Sequence, residues 1–168
     1  MLALAGFAPA EVLDSAANGF TVKTTVTIKA APDEVYRHVL HIGDWWSPDH
    51  TFSHDPHNLR IEDHPGGCFC EKLPDNGFVR FMEVINLAPG KTIVLSGALG
   101  PMQTLAATGA MQIRFSPVEG GTKLDMTYAV MGYLPQGMNT FAPIVDMVLA
   151  QQFTRLKSLI ETGQPASK

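Results

Sequence analysis

Between Phe20 and Ile28 the chain alternates. Phe20, Val22, Thr24, Val26 and Ile28 take one side, and Thr21, Lys23, Thr25 and Thr27 take the other. A period of two in β-branched residues predicts a half-buried strand. Ala30-Ala31-Pro32 stops it. Pro32 suits the first position of a helix, and Asp33 and Glu34 complement the helix dipole in its first turn. Val35, Tyr36, Val39 and Leu40 then fall at helical spacing, with Gly43 predicted to end or bend the helix. Two adjacent tryptophans follow, Trp45 and Trp46. Neighbours in any regular element point apart, so one is expected in the core and the other at the edge of a cavity. Residues 46–58 are polar and turn-rich and predict a loop.

Short apolar runs follow at close spacing. Strands are predicted over 59–62, 68–73, 78–87, 92–96, 108–116 and 122–131. Turn signals separate them: Gly66-Gly67, Asp75-Asn76-Gly77, Pro89-Gly90 and Glu119-Gly120-Gly121. Such close turns favour an antiparallel meander over parallel units, whose crossovers need many more residues. The last element has another period. From 140 to 162 the apolar residues Phe141, Ile144, Val145, Val148, Leu149, Phe153, Leu156, Leu159 and Ile160 repeat at helical spacing. That predicts a helix roughly 33 Å long, with Gly163 at its end. Its wide apolar stripe must lie against the sheet.

Size and charge narrow the class. A chain of 168 residues, 45% apolar and 17% charged, is expected to form one domain with a substantial core. The net charge of −4 is mild. Lys and Arg form no patch, so nucleic acid is not an expected partner. No apolar run approaches the ~20 residues of a membrane span. The first ten residues, MLALAGFAPA, are small and apolar, and Ala8-Pro9-Ala10 has the shape of an export-cleavage site. Residues 1–19 are therefore expected to lie outside the domain, as a remnant of an export signal or a frayed arm, with 20–163 as the domain and 164–168 as a tail. The export reading puts the protein in the periplasm or outside the cell. Cys68 and Cys70 would sit about 6.5 Å apart along an extended strand, near the limit for a disulfide. Two separate buried thiols are expected.

The order of strand, short helices, six closely spaced strands and a long final helix resembles the Bet v 1-like or START-like superfamily (SRPBCC). This is the helix-grip fold of polyketide cyclase/dehydrase and lipid-transport proteins. The likeness rests on IKAAPDEVY, on Trp45-Trp46, and on Gly66-Gly67 with Glu71 beyond it. It also rests on Gly120-Gly121-Thr122 and on VDMVLAQQFTRLKSLIE, and it spans about residues 20–163. The resemblance implies an α+β fold: a seven-stranded antiparallel curved sheet wrapped around the C-terminal helix, with two short helices after the first strand. It also implies an internal cavity. It does not imply one chemistry, since a fold is not a function.

The expected function is binding of a small hydrophobic or aromatic molecule, lipid-like or polyketide-like, as a carrier. A cyclase- or dehydratase-like enzyme is the second reading, and a protein-binding module resembling Hsp90 activators the third. Trp45, Trp46, Met82, Met111, Met126 and Tyr133 are the apolar candidates for the cavity. Glu71, Arg80 and Tyr128 are the polar ones. An inward Arg80 would need Glu71 as partner, and Glu71, Arg80 and Tyr128 together would favour chemistry. An all-apolar cavity would favour carriage. The six histidines lie between His38 and His64. Pro48 and Pro56 break the helix that would align them, so a solvated loop is expected there rather than a metal site. Neither cofactor nor metal is expected. No nucleophile or nucleotide motif is present, and the oligomeric state is open between monomer and dimer.

Overall fold

The computed structural model describes residues 10–167. Among the described residues, eight strands form one antiparallel curved sheet. They are β1 Ala10–Ala16, β2 Gly19–Ile28, β3 Leu59–Ile61, β4 Cys68–Lys72, β5 Phe78–Ala88, β6 Thr92–Gly97, β7 Ala107–Val118 and β8 Gly121–Gly132. Their spatial order is β1-β2-β8-β7-β6-β5-β4-β3. After the β1–β2 hairpin the chain crosses to the far edge through helix α1, Pro32–Leu40, and the loop beyond it. It then walks back strand by strand until β8 closes on β2. Helix α2, Ala142–Thr162, packs against the inner face. No helix among the described residues is long and apolar enough to cross a membrane.

The alternation in β2 is realised: Phe20, Val22, Thr24, Val26 and Ile28 are all buried. Beside them β8 buries Leu124, Met126, Tyr128 and Val130, and α2, which packs chiefly on β2, buries Leu149, Phe153 and Leu156 in the same core. The Tyr36 ring of α1 meets Phe115 of β7 edge-on at 5.6 Å. In the hairpin between β4 and β5, Asp75 and Asn76 both take left-handed backbone angles, as a tight turn there requires. Gly163 ends α2 at φ 80°, and its N–H bonds to the Leu159 carbonyl.

Four expectations are corrected. The sheet has eight strands, not seven, because β1 lies within the stretch expected to stand outside the domain. The chain turns at Ala17-Asn18 and pairs Ala10–Ala16 with β2, and β1 also touches α2. Ala8 and Pro9 of the suggested cleavage site lie outside the described residues. Helix α1 ends at Leu40, before Gly43. Gly43 sits in the following 3-10 turn, where the Pro56 carbonyl comes too close for a side chain. Finally, Cys68 and Cys70 form a disulfide, with Cα atoms 5.3 Å apart.

Candidate functional site

A hollow of about 320 Å³ opens between the loop after α1, strands β3 to β5, the segment after β6 and the first half of α2. Its two main walls differ. One is aromatic. Trp46 meets Phe69 edge-on at 6.0 Å, Phe69 lies 5.1 Å from Phe81, and Phe52 stacks on Phe81 at 6.0 Å with the planes 14° apart. The other is the face of α2, carrying Ile144, Val145, Val148 and Leu149. Leu99 and Met102, from the segment after β6, close one end. Asp49, His50 and Thr51 bring polar groups to the rim.

Local backbone irregularities build the aromatic wall. The register gives Phe69↔Met82 and Cys70↔Arg80, leaving Phe81 as an extra residue on β5. That bulge turns both Phe81 and Met82 inward, and both are buried. Strict alternation had placed Phe81 with Glu83 on the opposite face from Met82, so the pattern alone could not find it. The two tryptophans, both buried, have different surroundings. Trp45 is buried in the core, donates its indole N–H to the His38 carbonyl at 2.9 Å and packs on Phe153. Trp46 turns to the hollow and donates to the His50 carbonyl at 3.0 Å.

Buried polar groups fix the loops around the hollow. Glu71 is fully buried, and its carboxylate accepts the N–H groups of Phe52 and Ser53. The Tyr128 hydroxyl accepts from the Leu99 N–H at 3.2 Å and donates to the Gly97 carbonyl at 3.3 Å. Burial pushes its pKa far above that of an ordinary phenol, against the smaller opposing effect of the Leu99 hydrogen bond. The side-chain carbonyl of Gln152 on α2 accepts the Ser47 N–H at 2.7 Å, next to Trp46. Arg155 donates to the Trp45 carbonyl at 2.9 Å.

Of the residues singled out from sequence, Trp46 lines the hollow. Trp45, Met82, Met111 and Met126 lie in the adjoining core, and Tyr133 is 72% exposed. Arg80 faces solvent and pairs with Glu83, not with Glu71. Glu71, Arg80 and Tyr128 therefore do not converge: each has separate partners on a different segment. Among the histidines, His41, His50, His54, His57 and His64 are exposed and His38 is half-buried. Among the described residues no group of three or more His, Cys, Asp or Glu side chains gathers to hold a metal ion. The residues missed by sequence reading are Phe52, Phe69, Phe81 and the α2 face. The α2 face was marked by helical spacing, but nothing in that spacing separates residues over a hollow from residues on the sheet.

No protein-family profile matches the chain, and no curated protein matches it significantly. Solved structures do match. The Aha1 dimer from Colwellia psychrerythraea aligns with a TM-score of 0.63 at 18% identity, over 85% of this chain and 97% of that one. CalU16 from Micromonospora echinospora aligns with a TM-score of 0.55 at 15% identity, over 88% of this chain and 78% of that one. DynU16, a protein of the dynemicin biosynthetic locus, aligns with a TM-score of 0.59 at 17% identity, over 86% of this chain but 48% of that one. At such identities the likeness is one of fold. It agrees with the class that the sheet and C-terminal helix define, an α+β domain of helix-grip architecture.

Proposed function

We propose that this protein is a member of the helix-grip superfamily it resembles, and that it binds a small, largely apolar ligand carrying a planar ring. One observation carries the reading: the hollow is lined by an aromatic cluster, Trp46, Phe69, Phe81 and Phe52, in which Phe52 and Phe81 lie nearly parallel, and by the aliphatic face of α2, with few polar groups among them. A planar ring placed there stacks on one side and meets methyl groups on the other. A volume of about 320 Å³ is at the small end of ligand sites, so the ligand is compact. Binding without chemistry is favoured over an acid–base enzyme because Glu71 and Tyr128 spend their polar atoms on backbone partners and Arg80 stands at the surface. The likeness to the Aha1 dimer is one of fold and brings no partner with it.

Native mass spectrometry of freshly purified protein tests this reading. The expected spectrum contains a bound small molecule that organic extraction releases and that absorbs as an aromatic compound. A polar metabolite such as a sugar or nucleotide as the extracted species would contradict it.

A further inference from the structure

Glu71 is wholly buried, yet it reaches its partners through a different part of the chain. Its Oε2 accepts the Phe52 N–H at 3.0 Å and its Oε1 accepts the Ser53 N–H at 2.5 Å. Both donors belong to an irregular segment between two 3-10 turns, with His54 beyond them in a left-handed conformation. That segment has no ladder of its own, so the amides of Phe52 and Ser53 go to the carboxylate. Phe52 is 51% exposed, so burial does not hold its ring in place. The ring nevertheless lines the hollow and lies flat on Phe81. Its main chain holds it there: Glu71 takes both amides, while the Ser53 hydroxyl, bonded to Asp55 and Asn58, braces the segment beyond.

We propose that Glu71 is a positioning residue, the latch that holds Phe52 as a lid at the mouth of the cavity and so governs how fast a ligand leaves. The inference rests on the cavity reading for the ligand, but the latch exists in the empty protein. A carboxylate is needed because two N–H donors require two acceptor oxygens. Glutamine offers one oxygen and sets an NH₂ group against the other donor. Charge-assisted hydrogen bonds to buried groups are among the stronger ones, so their loss weakens the closed state substantially.

Two measurements on the full chain decide it. Amide hydrogen exchange in the ligand-free protein compares the wild type with Glu71→Gln. We expect exchange at Phe52 and Ser53 to rise roughly tenfold or more, while amides in the centres of β2 and β8 keep their rates. Stopped-flow dissociation of N-phenylnaphthylamine is then followed in the wild type, E71Q, F52A and the double variant. E71Q should speed release about tenfold, and it should add nothing once Phe52 is alanine. Unchanged exchange at Phe52 and Ser53 overturns the latch. So does an E71Q effect on release that persists in full in the F52A background. If the probe binds none of the proteins the cavity reading fails instead, and the exchange comparison still decides the latch. Should E71Q not fold, Glu71→Asp, which keeps both oxygens but draws them back by one methylene, is read the same way.

Discussion

Tyr128 shows what one buried polar atom does here. Its ring belongs to the core of β8, and its hydroxyl pins the main chain of Gly97 and Leu99 at the end of the hollow. Replacing it with phenylalanine leaves a partly buried N–H and a partly buried carbonyl without that partner, which costs about 1 kcal/mol. The pH dependence follows from the raised pKa. The folded protein keeps a proton that the unfolded chain releases above its ordinary value near 10. Stability from this group is therefore complete below that pH and declines as the pH rises past it. Denaturant unfolding from about pH 9 to about pH 11 should show a steeper loss in the wild type than in Tyr128→Phe. Equal slopes would mean that the phenol is not shielded. At this scale the sequence is a partial guide. The alternation marked Tyr128 as inward-facing, but not that its hydroxyl would be consumed by a loop some thirty residues away. Phe81 was hidden for another reason: a single extra residue in β5 inverts its facing, and no periodic pattern encodes a bulge.

At the level of elements, the loops around the hollow depend on points where strands end irregularly. Gly97 closes β6 at φ 151°. A side chain there would strike the Phe81 carbonyl and the Met82 Cα, so the glycine lets the segment carrying Leu99 and Met102 fold over the aromatic wall. Gly97→Ala is expected to destabilise the protein by about 1–3 kcal/mol, measured as a lower denaturation midpoint, and to weaken apolar-probe binding in the protein that remains folded. Elements with a strong period were legible: β2, β8 and α2 follow their patterns to within a few residues. The strand β1 was not. Its residues do not alternate, and the small apolar residues before it read as an export signal. Its pairing is visible only once β2 offers an edge. The short strands β3 and β4 were legible as strands, but the buried Glu71 on β4 was not legible as an anchor for the loop. Its partners are main-chain amides, which every residue but proline carries.

Across the whole molecule, the long path from β2 to β3 is what makes room. The chain leaves the sheet for α1 and three short turns before returning at the opposite edge, and that excursion supplies Trp46, Asp49, His50 and Phe52. The sheet and α2 close most of their shared interior with packed side chains, and the hollow remains where the excursion, the β4–β5 bulge and the first half of α2 meet. The central claim is that this hollow is a binding site for an apolar ring. Val148 lines it from α2 and is only half-buried, so Val148→Trp places an indole into the space while leaving the core beneath undisturbed. The deciding measurement is a fluorescence titration with N-phenylnaphthylamine on the wild type and this variant, with melting curves for both. Saturable, one-to-one binding by the wild type is expected, and its loss in Val148→Trp at nearly unchanged melting temperature. Equal binding by both proteins would contradict it.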